Sequence, residues 1–169
     1  LSIRQPEGHP PSFDRPLLAV DIDGVISLFG WEEQPPQTRL QLVDGVPHAI
    51  SLPVGDRLLR LSEHFELVWA SGWEDKANFY LPGLLGLPEL PHISFDVAPR
   101  SGGAHWKLAA IEGFAGHRAI AWVDDNFDES CFEWAERRGW PTLLVPTEPH
   151  LGLEEGHVAA LESWALSLG

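Results

Sequence analysis

Asp21 and Asp23 fall within an apolar run, Leu17–Ile26, that reads LLAVDIDGVI, and Gly24 follows them directly. The run has the composition of a buried strand. Its carboxylates then fall in the loop at the C-terminal end, the edge of an open α/β sheet where ligands bind. Two aspartates one residue apart repel each other there, and a divalent cation relieves the repulsion. The chemistry this pattern predicts is magnesium-assisted attack on a phosphate, because hard oxygen donors favour Mg²⁺ over a soft metal.

The rest of the chain must hold these residues in place. Apolar runs at Leu17–Asp21, Phe65–Ala70, Ala119–Val123 and Thr142–Val145 predict strands, with a further short one at His92–Asp96. Helical spacing marks Asp56–His64, Glu74–Leu85 (Pro82 and Gly83 disturbing its last turn), Ala104–Gly113, Asp128–Arg138 and Glu154–Leu168, with Asp128 as a cap. Thr38–Leu52 alternates around Asp44-Gly45, the signature of a hairpin with a two-residue turn. Strands alternating with helices predict an α/β fold, a Rossmann-like three-layer α/β/α sandwich with a mainly parallel sheet and a small β-hairpin flap after the first strand. The strands then end on one edge and bring Asp21, Asp23, Ser71, Asp124 and Asp125 together.

At 169 residues the chain is long enough for one domain with a sizeable core, and 44% hydrophobic with 21% charged residues excludes a disordered chain. Residues 1–16 are polar and Pro-rich and are expected to form a flexible tail, with 17–169 as a single catalytic domain. A net charge of -14 argues against extended nucleic acid as a partner. The lone Cys131 cannot form an internal disulfide and reads as a buried apolar residue, which fits a cytoplasmic location. No apolar run reaches membrane-spanning length, so no membrane partner is expected. The histidines show no ligand spacing, which argues against zinc.

Four pieces follow in order: DIDGV at Asp21–Val25, Ser71 after LVWA, Lys107 in HWKLAAI, and the strand ending in Asp124-Asp125. Taken singly, Ser71 reads first as a turn or cap residue, Lys107 as a solvated helix residue, Asp125 as a helix cap, and Asp23 and Asp124 as surface loop carboxylates. Together, from Leu17 to about Val145, they make the chain resemble the haloacid dehalogenase (HAD) superfamily of aspartate-dependent phosphotransferases. The resemblance implies Asp21 as nucleophile forming an aspartyl-phosphate, and Asp23 as general acid and then base. It implies Ser71, Gly72, Lys107 and Gly24 around the phosphoryl group. The metal set would be Asp21, Asp23, Asp124 and Asp125, with Asp23 reaching the ion through its backbone carbonyl and Asp125 through water.

The segments Gly24–Asp56 and Gly72–Ser101 are too short for a substantial cap, so an open, capless or minimally capped site is expected. Trp31 and Trp73 are candidates to stack on a base or sugar, or else to cover the core. His48 on the hairpin can face a leaving group or solvent. Arg100 with Ser101-Gly102-Gly103 can cradle an anion or form a plain turn. The expected activity is Mg²⁺-dependent phosphatase hydrolysis of a small phosphomonoester, with nucleotides among the candidates. The SGW and WVDD stretches resemble, more loosely, the small HAD domains of bacterial nucleic-acid repair proteins, which would imply removal of phosphate from nucleotide or polynucleotide ends. The alternative is a catalytically silent HAD-fold module that binds or regulates a partner protein. A phosphoaspartate receiver fits less well, because here the DxD comes first and the DD last.

Overall fold

The computed structural model describes residues 15–95 and 103–169. Residues 1–14 of the expected tail, Asp96 and residues 100–102 of the expected anion-cradling loop lie outside the described residues. In chain order the strands are β1 (Leu17–Val20), β2 (Ser27–Leu28), β3 (Thr38–Val43), β4 (Val46–Ser51), β5 (Glu66–Trp69), β6 (Ile120–Asp124) and β7 (Thr142–Pro146). The α-helices are α1 (Val54–Leu61), α2 (Lys76–Leu85), α3 (Leu108–Ala115), α4 (Glu129–Arg137) and α5 (Glu155–Ser167), with a 3₁₀ turn at Ala104–Lys107 leading into α3.

Four strands form a wholly parallel sheet in the order β5-β1-β6-β7. Strand β1 is central and all four of its residues are buried, so both faces of the sheet must be covered. Leu18 and Val20 point to one face, where they pack with Leu67, Trp69, Ala121 and Val123 among residues from α1, α2 and α5. Leu17 and Ala19 point to the other, with Val68, Ile120 and Trp122 among residues from α3 and α4. The result is the expected α/β/α sandwich. Each large aliphatic side chain fully buried here contributes about 1.5–3 kcal/mol, so a one-residue slip of β1, which would exchange its two faces, is strongly disfavoured.

The flap is larger than a hairpin. Strands β3 and β4 pair antiparallel around Asp44 and Gly45, whose positive φ values of 51° and 80° are those of a type I′ turn. The two-residue β2 then adds to β4 and makes a three-stranded sheet, order β2-β4-β3. Asp44 at the flap tip forms an ion pair with Lys76 at the start of α2. The expected strand at His92–Asp96 is corrected: among the described residues His92 makes only an isolated bridge to Trp69. Pro82 sits inside α2 without ending it, and Gly86 closes that helix in the left-handed conformation.

Asp128 caps α4 by accepting from the Cys131 amide at 3.3 Å, and it also meets His105 Nδ1 at 2.6 Å. Partial burial works to raise its pKa, but the bonds from His105 and from Cys131 outweigh that and hold it below the usual carboxylate range. Gly103 presses on the same carboxylate: a Cβ there would lie 2.3 Å from Asp128 Oδ2. Asp128→Ala is expected to cost about 1 kcal/mol in denaturant unfolding near neutral pH. Because the folded-state pKa is depressed, that difference is present above about pH 4 and shrinks as the pH falls through the folded-state pKa. No helix among the described residues is long and apolar enough to cross a membrane.

Candidate active site

The parallel register brings the chemistry-bearing residues level with one another. Val20 pairs with Trp69 on one side and Val123 on the other. The next residues continue the ladder, with the Asp21 amide donating to Val123 O at 3.0 Å and the Ala70 amide to Val20 O at 2.8 Å. Asp21, Ser71 and Asp124 therefore emerge side by side at the C-terminal edge, as that topology predicts for a ligand site. They line a cleft of about 360 Å³ together with Asp23, Gly72, Trp73, Lys107 and Asp125.

Lys107 is the hub of this cleft. It ends the 3₁₀ turn, is 4% exposed, and its Nζ lies 2.8 Å from Asp124 Oδ2, 3.0 Å from Asp21 Oδ1 and 2.9 Å from Ala70 O. Burial alone would lower its pKa, but Asp21 and Asp124 raise it above the ordinary lysine value, so it stays an ammonium. The Asp21 pKa is raised as well, for a different reason. Desolvation drives its pKa well up against the opposing pull of Lys107, and Asp124 adds to the rise. Asp125 is raised to about 6, chiefly by desolvation and by the neighbouring Asp124.

Asp21, Asp124 and Asp125 each offer a carboxylate oxygen within 4.8 Å of the others. Among the described residues lining the cleft, Lys107 is the sole lysine or arginine facing these acids. Three acids against one ammonium leave negative charge uncompensated, which adds to the desolvation that raises the pKa values of Asp21 and Asp125. An all-oxygen donor set with surplus negative charge fits a hard divalent cation. The carboxylate of Asp23 does not belong to this group, and the Asp23 role expected from the resemblance was through its backbone carbonyl.

Gly24 is fixed by geometry. It has φ +81°, and a Cβ would lie 2.3 Å from the Asp125 carboxyl carbon. It shapes the acidic group without lining the cleft. Its carbonyl accepts from the Thr147 hydroxyl at 2.8 Å, a buried bond that ties the Asp21–Gly24 loop to the residue after β7. Gly24→Ala is expected to displace Asp125 and weaken the site's affinity for a divalent cation roughly 10- to 100-fold, as when other supports of a metal ligand are lost. Titrating the thermal midpoint with Mg²⁺ checks this, and an unchanged midpoint concentration contradicts it.

The remaining expected residues divide. Ser71 is buried and its Oγ accepts from the Trp73 amide at 3.1 Å, the short turn that its type allows. Trp73 lines the cleft, and its indole N–H donates to Asp23 Oδ2 at 3.2 Å. His48, on β4, does not line the cleft but neighbours two residues that do, Asp23 and Trp73: its Nδ1 shares a 2.8 Å hydrogen bond with Ser27 Oγ and lies 3.7 Å from Asp23 Oδ1, and its ring meets that of Trp73. Trp31 is not brought in; its indole N–H is spent on Leu28 O at 2.9 Å and it does not line the cleft. Trp106 and Asn126 line the cleft without having been singled out in the sequence. The ring of Trp106 packs on Phe95 at 4.9 Å, with Lys107 Nζ 5.4 Å from its centroid. Its place next to Lys107 was the available signal.

No protein-family model matches the chain. No curated protein matches it either. Among solved structures, the chain is similar to a hypothetical protein from Xanthomonas campestris, at 15% identity over 91% of this chain and 82% of that one, with a TM-score of 0.47. It is also similar to a provisionally described HAD superfamily (subfamily III A) hydrolase from Legionella pneumophila, at 15% identity over 91% and 83%, with a TM-score of 0.46. The parallel sheet and the small flap sheet agree with the architecture expected from the alternation of strands and helices.

Proposed function

We propose that this chain is a HAD-type, Mg²⁺-dependent phosphomonoester hydrolase that works through an aspartyl-phosphate on Asp21. The observation that carries the reading is the convergence of Asp21, Asp124 and Asp125 within 4.8 Å, with Lys107 bridging the first two. Asp21, Asp124 and Asp125 would hold the ion, with the Asp23 backbone carbonyl completing the set. When bound, it supplies positive charge that offsets repulsion between a phosphate dianion and an anionic nucleophile.

In the first step an Asp21 carboxylate oxygen attacks phosphorus, forming an O–P bond as the bond to the leaving oxygen breaks. Asp23 gives its proton to that oxygen. In the second step Asp23, now a carboxylate, takes a proton from water as the water oxygen bonds to phosphorus and the Asp21–phosphorus bond breaks. Lys107 holds Asp21 in register and adds positive charge beside it. The Ser71 hydroxyl and Gly72 amide receive the phosphoryl oxygens. The cleft's size and the net charge of -14 favour a small phosphomonoester, nucleotides among them, over extended nucleic acid.

The test is hydrolysis of p-nitrophenyl phosphate. Turnover that needs Mg²⁺ and is lost with a chelator is expected. A folded protein that turns over no phosphomonoester in a broad panel with Mg²⁺ present would overturn the reading and favour a silent binding module.

A further inference from the structure

We infer that Trp73 is the positioning residue of this site, holding Asp23 for proton transfer to the leaving group. The inference rests on the hydrolase reading above. The Asp23 side chain is 53% exposed, so left to itself its carboxylate would rotate freely in solvent. The Trp73 indole N–H removes that freedom by donating to Oδ2 at 3.2 Å, which leaves Oδ1 to carry the proton. The same residue's backbone N–H donates to Ser71 Oγ at 3.1 Å. One residue thus ties the proton donor of the first loop to the hydroxyl of the second.

The indole is itself held. His48 meets it edge-on, with centroids 4.9 Å apart at 72°, and Tyr80 does so at 6.5 Å and 86°. His48 does not replace it as Asp23's partner: its Nδ1 is engaged by Ser27 Oγ and stands 3.7 Å from the carboxylate, beyond hydrogen-bond reach. The flap therefore contributes a bracket for the indole, and the Lys76–Asp44 ion pair fastens its tip on the same side. With its N–H already committed, Trp73 serves Asp23 first, whatever its ring face offers a substrate.

Leaving-group dependence separates positioning from packing. A p-nitrophenolate departs readily without a proton, whereas an alkoxide needs one, and kcat/KM reports the steps up to leaving-group departure. Trp73→Phe keeps a ring and loses the N–H. Its kcat/KM for glycerol 2-phosphate is expected to fall about tenfold further than for p-nitrophenyl phosphate, and Trp73→His, which restores a ring N–H, is expected to recover part of the difference. Equal losses on both esters, or none, would overturn the inference while leaving the hydrolase reading intact. An unsubstituted protein that hydrolyses no ester of the broad panel would overturn both. A second measurement does not depend on a Trp73 variant folding. Asp23→Ala is expected to shift the Trp73 indole ¹⁵N–¹H resonance, and an unmoved resonance would show that the bond does not form.

Discussion

Asp21→Asn is expected to lower Mg²⁺-dependent hydrolysis of p-nitrophenyl phosphate by roughly 10⁴-fold or more, the scale seen when a covalent nucleophile is removed. The substitution is nearly isosteric and sits at the end of β1, whose backbone bonds to β5 and β6 it leaves untouched. Loss of turnover will therefore not reflect loss of the fold, which circular dichroism of the same sample checks. The amide oxygen still accepts from Lys107 but cannot form the phosphoryl ester. Residual turnover above a tenth of normal would remove Asp21 as nucleophile. It would move attention to Asp23, the other carboxylate in the same loop.

Lys107→Met is expected to have the largest effect on stability. The side chain is buried and its ammonium lies against two buried carboxylates and one carbonyl. Removing it leaves those charges unpaired, a change that costs about 3–5 kcal/mol in comparable sites and lowers the thermal midpoint by roughly 10 °C. The sign with pH follows from the raised pKa of Asp21, which rises further once the opposing pull of Lys107 is gone. A carboxyl whose folded-state pKa exceeds its unfolded value binds its proton more tightly when folded. The variant is therefore least impaired at low pH and loses stability as pH rises through the folded-state value. Adding Mg²⁺ is expected to restore part of the loss at neutral pH, because the ion neutralises the same carboxylates. A midpoint equal to that of the unsubstituted protein in chelator at pH 8 would contradict this charge balance.

What the sequence revealed followed from period and punctuation. Runs such as LLAV and LVWA are buried on both faces, so their apolar character is continuous and their ends are sharp. Asp44-Gly45 marks its turn because a type I′ turn needs two positive φ values. Asp21, Ser71, Asp124 and Asp125 were legible because each sits at or just beyond a strand's end, whereas Lys107, expected inside a helix, stood out only by its order among the other pieces. The two-residue β2 was not legible, since it is too short for any period to show. It forms because β4 offers an open edge. Sequence distance also misled about Trp31, which is close to Asp23 along the chain but turns back onto Leu28. The acidic group excludes the Asp23 carboxylate, because successive residues leaving a strand point in different directions. The bond between Asp23 and Trp73 spans 50 residues and carries no local pattern. The support that Thr147 gives to Gly24 spans 123 and carries none either.

The proposed chemistry requires a single cation held jointly by residues far apart in the chain. A crystal of the protein soaked in Mn²⁺, an ion of similar ligand preference that can be located by its anomalous signal, tests it most directly. One strong peak in contact with carboxylate oxygens of both Asp21 and Asp124, next to Lys107, is expected. A peak elsewhere, or none between those two carboxylates at saturating ion, would contradict it.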